Sequence, residues 1–62
     1  MCESTAYMLK DGAEELVIEN VDILENRKDQ VRLVDLFGQE KIIRARVKVL
    51  SLVDHKIILE PI

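Results

Sequence analysis

Residues 41–54, KIIRARVKVLSLVD, alternate apolar and polar side chains for most of their length. Successive side chains of a β-strand point to opposite faces, so a period of two predicts a long strand with one buried face and one solvated face. The face predicted to be buried carries Ile43, Ala45, Val47, Val49 and Val53. The opposite face carries Arg44, Arg46 and Lys48, followed by Leu50 and Leu52. The chain is therefore predicted to fold around a β-sheet.

Turn signals divide the rest of the chain into short strands. Asp11-Gly12 indicates a hairpin, because type I′ turns need positive φ at both central positions. Asp54-His55 is predicted to form another tight turn, and Pro61 to end the last strand, because proline has no N–H for the ladder. The predicted strands are 4–10, 13–20, 21–26, 31–37, 41–54 and 56–61. Six short strands at this spacing predict an all-β fold, a small barrel or curled meander of antiparallel strands.

Two segments need a choice between patterns. A helix fits only residues 11–28, DGAEELVIENVDILENRK, where the β-branched residues and the Asp-Gly start favour strands. In residues 31–37, Val31, Leu33 and Phe37 are predicted to share a buried face that Asp35 interrupts.

The length of 62 residues fits one domain, 1–62, with a small core. Such a core supplies about 3–5 kcal/mol, and Cys2 is the only cysteine, so no disulfide within the chain adds to it. Leu50, Leu52 and Ile58 are predicted to give the last hairpin a second apolar face. We therefore expect a homodimer, the commonest way to cover such a face. The alternative is scattered exposed apolar residues, which are normal on protein surfaces.

The charge balance limits the partners. Nine basic and twelve acidic residues give a net charge of −3, and the chain has one Tyr and one Phe. These features offer neither a general attraction to phosphates nor a stacking surface for bases, so nucleic acid is not the expected partner. No basic stretch leads into an apolar run at the start, and the longest apolar run, 57–59, is far short of the roughly 20 residues that a bilayer requires. We expect a cytoplasmic protein without membrane association, where a thiol stays reduced.

Cys2 is the candidate metal ligand. If Met1 is removed, one residue offers an α-amine and a thiolate, which together close a five-membered chelate ring, with the next backbone amide nearby. A dimer axis that joins two such residues would supply two nitrogens and two sulfurs. Square-planar nitrogen-rich sites select Ni(II) or Cu(II), whereas thiolates favour Cu(I) and zinc, so these residues allow nickel without demanding it. A small buried apolar cysteine is the alternative, but a chain end beside charged Glu3 suits a ligand better.

The segments MCESTAY, DG, VRLVDLFGQEKII and LVDHKIILE resemble the CooT-type small nickel-binding proteins over essentially the whole chain. The resemblance implies a cytoplasmic homodimer with a small SH3-like β-barrel. It further implies an accessory protein, not an enzyme, that binds Ni(II) through Cys2 and supports the maturation of nickel-containing carbon monoxide dehydrogenase, as a metallochaperone or a nickel store. The HypC-type hydrogenase chaperones also begin Met-Cys, but they continue with small apolar residues and a proline, where this chain has Glu3, Ser4 and Thr5.

Other candidate sites are explained more simply by their surroundings. His55 is the only histidine and a possible metal ligand, but it lies in a predicted turn where polar residues are expected. The row Arg44, Arg46 and Lys48 supports the alternative function, a small RNA-binding or protein-docking barrel, although a solvated face paired with carboxylates is the simpler explanation. The surface Leu50, Leu52 and Ile58 could also serve a structural adaptor. The acidic residues Asp11, Glu14, Glu15 and Glu19 lack the spacing of a calcium loop.

Overall fold

The computed structural model describes residues 4–62, which form six β-strands and no helix. In chain order the strands are β1 Ser4–Lys10, β2 Ala13–Asn26, β3 Val31–Asp35, β4 Glu40–Ile43, β5 Ala45–Ser51 and β6 Lys56–Pro61. Across this part of the chain, no helix is long and apolar enough to cross a membrane.

The strands form one sheet in the order β4-β3-β2-β1-β6-β5. Neighbouring strands are antiparallel except β1 and β6, which are parallel, with Thr5 beside Lys56 and Met8 beside Leu59. The sheet curls into a half-barrel, which brings β3 into contact with β5. The fold is all-β with six strands, as predicted, and it departs from the prediction in having one parallel pair.

The parallel pair arises from the way β4 leads into β5. Followed through the ladder, β4 and β5 both run opposite to β1, with only Arg44 between them. The chain therefore reverses direction one time fewer than six alternating strands would require. As a result β6, which is antiparallel to β5, returns parallel to β1.

The predicted strands 13–20 and 21–26 are one bent strand, β2. Its ladder with β1 carries an extra residue on either side of Ile18, and Asn20 has a positive φ of 55°. Each bulge bends the strand and increases its twist, so the chain turns a corner while its hydrogen bonds to neighbours continue. Val17 lies at one bulge, and its carbonyl accepts a hydrogen bond of 2.7 Å from Lys41 Nζ. The apolar pattern changes phase here because the strand bulges, not because it ends.

The predicted strand 41–54 is interrupted. It breaks at Arg44, and the ladder of β5 with β6 shifts register between Val47 and Val49. Beyond that shift, Val49 pairs with Ile58 on the convex face, and Val53 lies in the turn after β5 with 89% of its surface exposed. The prediction that Val49 and Val53 are buried is therefore wrong. A bulge reverses the parity of side chains before Val49, and β5 ends before Val53.

The core lies on the concave face of the curled sheet. Leu33 and Leu59 are its largest fully buried side chains, from β3 and β6. Every strand except the edge strand β4 contributes a buried apolar residue, and Ile43 of β4 packs against the cluster from its border. The cluster consists of Ala6, Ile18, Val21, Val31, Leu33, Ala45, Ile57 and Leu59.

Candidate metal site at the start of the first strand

The predicted ligand Cys2 lies outside the residues that the structure describes, so its role stays a prediction. The description begins two residues later, at Ser4, where β1 begins. Ser4 is buried and pairs with Val21 of β2, while Thr5 lies beside Lys56 of β6. The chain thus joins the sheet between two strands, β2 and β6.

His55 lies next to this point. Thr5 N donates a hydrogen bond of 2.9 Å to the carbonyl of His55, which has a positive φ of 52° and ends the turn between β5 and β6. The turn is further held by Ser51 Oγ, which accepts a hydrogen bond of 3.1 Å from Asp54 N. The prediction of a turn at His55 is confirmed. The fold also places this histidine against a residue three positions after Cys2, which the sequence does not reveal.

A fixed positive charge lies beside the same strands. Lys56 Nζ forms a 2.9 Å salt bridge with Glu14 and lies 5.2 Å from the centre of the Tyr7 ring. The hydrogen bond to Glu14 raises the pKa of Lys56, so the ammonium stays charged through the neutral range. These contacts link three strands, β6, β1 and β2, because Lys56 lies beside Thr5 and Glu14 lies beside Leu9.

Within residues 4–62, no three or more His, Cys, Asp or Glu side chains are grouped closely enough to hold a metal ion. The same part of the chain also contains no cavity or cleft.

The basic residues proposed for the alternative function do not form one uninterrupted face. Arg44 lies in the gap between β4 and β5, and Lys48 lies at the register shift of β5. Arg46 pairs across the strands with Glu60, at 3.3 Å between Nε and Oε1. An exposed row of this kind, with its central member paired to a carboxylate, offers a weaker track for phosphates than the alternation suggested.

The apolar surface predicted for the last hairpin is only partly exposed. Leu52 and Val53, at 70% and 89%, project from the turn that contacts Thr5 through His55. Ile58 belongs to the convex face as predicted, but it is only 6% exposed. It lies in the sheet between Tyr7 and Val49, which flank it on either side. Of the three residues predicted to form this surface, Leu50 and Leu52 are therefore exposed and Ile58 is not.

The turn after β3 begins earlier than predicted. Phe37 was predicted to be buried beside Val31 and Leu33, but β3 ends at Asp35 and Phe37 is 81% exposed. The signal was present, because Asp at the first and Gly at the fourth position of Asp35-Leu36-Phe37-Gly38 are typical of a type I turn. Asp35, which seemed only to interrupt an apolar row, accepts hydrogen bonds from Phe37 N and Gln39 N.

Comparison with known proteins agrees with this fold and its N-terminal residues. Residues 1–60 match the family described as CO dehydrogenase accessory protein CooT. An uncharacterized protein of Methanocaldococcus jannaschii is 41% identical over 60 residues, which cover 97% of this chain and 98% of that protein. The crystal structure of a protein assigned as CooT from Carboxydothermus hydrogenoformans superposes with a TM-score of 0.89 at 43% identity, covering 98% of both chains. The chain therefore belongs to the CooT family of CO dehydrogenase accessory proteins.

Proposed function

We propose that this protein binds Ni(II) through Cys2 and supports the maturation of nickel-containing CO dehydrogenase in the cytoplasm. Nickel is its cargo, carried to an acceptor or held in store, and the protein catalyses no reaction of its own. The observation that carries the proposal is membership of the CooT family over residues 1–60, a span that includes Cys2. A reducing compartment suits a free thiolate ligand.

The surroundings of β1 support this assignment. Residues 4–62 lack a ready metal cluster, so the proposed ligands are those of the N-terminus: the Cys2 thiolate, its α-amine once Met1 is removed, and the following amide nitrogen. The backbone carbonyl of His55 accepts a hydrogen bond from Thr5 N, and the His55 imidazole is a candidate further ligand.

A homodimer is part of the proposal. Leu52 and Val53 leave an apolar surface at the turn beside the start of β1, and a second copy packed there would cover it. Two-fold symmetry places the same patch of each chain against the other, so the two N-termini would meet near the axis. The nickel ion would then be bound by nitrogen and sulfur from both copies.

The test is a titration of Ni(II) into wild-type protein and into Cys2→Ser, with no extra residues ahead of Met1. Intact mass first establishes that Met1 has been removed. We expect a thiolate-to-nickel charge-transfer band in the wild type and none in Cys2→Ser. His55→Ala is the companion variant, expected to keep the band and to show whether imidazole adds affinity. An unchanged band in Cys2→Ser would refute the proposal.

A further inference from the structure

The turn between β3 and β4, residues 35–39, is held by an unusually complete set of hydrogen bonds; we call it the Phe37 turn. Gly38 N donates to Asp35 O over 3.1 Å, and Asp35 N donates to Gln39 O over 3.0 Å. Phe37 N and Gln39 N donate to Asp35 Oδ1 over 2.9 and 2.8 Å. Leu36 N donates to Asn20 O of β2 over 3.0 Å. Every backbone N–H of the turn is therefore engaged within the molecule.

This rigid turn displays an aromatic ring in water. Phe37 is 81% exposed, whereas the carboxylate residue that fixes its backbone, Asp35, is only 7% exposed. Burying a carboxylate is costly unless it is hydrogen-bonded. The hydrogen bonds that Asp35 accepts hold the turn in the conformation that exposes Phe37. Aromatic side chains are enriched at binding hot spots, and an anchor that is already ordered loses less entropy on binding.

The charges beside the turn indicate what kind of surface would receive it. Glu19 and Asp22 lie within two residues of Asn20, which binds the turn; both are exposed, and neither has an ion-pair partner among residues 4–62. The nearby cations are engaged elsewhere, because Arg32 pairs with Glu40 and Lys41 donates to Val17 O. Two carboxylates without an ion-pair partner among residues 4–62 therefore lie on the strand that binds the turn, and they would complement a basic rim on a partner.

The turn lies close to the start of β1. Val21 of β2 pairs with Ser4 on one side and with Asp35 on the other. Two neighbouring strand spacings separate those partners, about 10 Å. A protein that received the Phe37 ring would therefore be set near the point at which β1 begins.

We propose that the Phe37 turn is the anchor by which this protein docks on the CO dehydrogenase that it serves, with the phenyl ring entering an apolar pocket rimmed by lysine or arginine. The inference rests on the proposed function, because it takes that enzyme as the acceptor. It adds the surface of contact and its chemistry. With no cavity in residues 4–62, an accessory role of this part of the chain is carried by its surface.

The experiment measures binding of the protein to purified nickel-free CO dehydrogenase of the same organism by biolayer interferometry. Phe37→Ser should weaken binding about thirtyfold or more, as expected for an aromatic hot spot. Ile62→Ser is the matched control, because Ile62 is an apolar residue that is 58% exposed and far from the Phe37 turn in the sequence. This variant should bind like the wild type. Asp22→Lys should weaken binding, and raising the salt concentration should slow association of the wild type.

Nickel titration of the same variants separates docking from metal binding. Phe37→Ser should bind nickel like the wild type, and Cys2→Ser should dock like the wild type. The docking proposal is overturned if the wild type does not bind the enzyme, if Phe37→Ser binds it unchanged, or if Ile62→Ser loses as much affinity. A wild type that binds nickel but not the enzyme would leave the proposed function standing, whereas docking with an unchanged nickel band in Cys2→Ser would remove the function and keep the anchor.

Discussion

Asp35 accepts two backbone hydrogen bonds through a single carboxylate oxygen while nearly all of its surface is buried. Two further sets of contacts fix its position. Its own N–H and C=O form hydrogen bonds within the turn, and it pairs with Val21 of β2. The sequence marks this residue as an irregularity in an apolar row. The structure shows that it ends β3 and sets the course of the chain into β4.

Replacing Asp35 tests this role. Asp35→Ala leaves the N–H groups of Phe37 and Gln39 without their acceptor, so we expect a loss of about 1–3 kcal/mol in the free energy of unfolding. Asp35→Asn keeps a carbonyl oxygen in place and should lose less. Urea denaturation measures both, and equal stability of Asp35→Ala and wild type would contradict the account of the turn.

At the scale of elements, the sequence predicts strands well and their continuity poorly. The bounds of β1 and β6 agree with prediction, because each is a plain run between clear turn signals. Two of the errors, the division of β2 and the wrong faces in β5, have one cause. Bulges change the parity of side chains without ending a strand, so β2 was divided in two and the faces of β5 were assigned wrongly beyond Lys48.

For the candidate site, local features could be predicted from the sequence, but contacts between distant strands could not. Cys2 and the His55 turn are evident from local sequence, because a lone thiol and a turn dipeptide need no partner to be noticed. The neighbourhood of His55 and Thr5 depends on pairing between the first and last strands, which lie about fifty positions apart. Pairing at that distance leaves no local pattern, so it emerged only from the fold.

Lys56 connects three strands, and its contribution to the free energy of unfolding depends on pH. Hydrogen bonding to Glu14 raises the pKa of Lys56 above its usual 10.5. The folded state therefore holds this proton more tightly than the unfolded chain, so the contribution is fully present below pH 10.5 and is lost as pH rises through the raised pKa. We expect Lys56→Gln to be less stable than wild type at neutral pH, with the difference shrinking in strong base.

Thermal unfolding at about pH 8 and about pH 11.5 measures this difference on both sides of the usual lysine range. Lys10→Gln is the control, because Lys10 lies exposed at the end of β1 and forms no ion pair with residues 4–62. A stability gap for Lys56→Gln that stays constant with pH would show that the Glu14 contact does not act through the charge.

On the scale of the whole molecule, the half-barrel leaves apolar residues exposed outside its core, two of them next to each other in the turn after β5. The concave face is filled by the core, while Leu52 and Val53 extend from one turn. A small domain gains much from covering such a surface, since its own core supplies little stability. Packing of two copies at this turn would join stability and metal binding in one assembly.

Leu52→Glu tests the assembly. Two like charges placed across a two-fold axis repel each other, so we expect the wild type to sediment as a dimer and Leu52→Glu as a monomer with weaker nickel binding. Leu16→Glu, an exposed leucine on β2, is the matched control and should remain dimeric. If Leu16→Glu dissociates and Leu52→Glu does not, the interface lies on the convex face. A wild-type monomer would rule out a shared site.

The parallel ladder between the first and last strands has a consequence for synthesis on the ribosome. β1 has its β6 partner only after residues 56–59 have been translated and have left the exit tunnel. Until then the edge of β1 that faces β6 has no partner strand. The parallel ladder can therefore form only after the last strand has been synthesised.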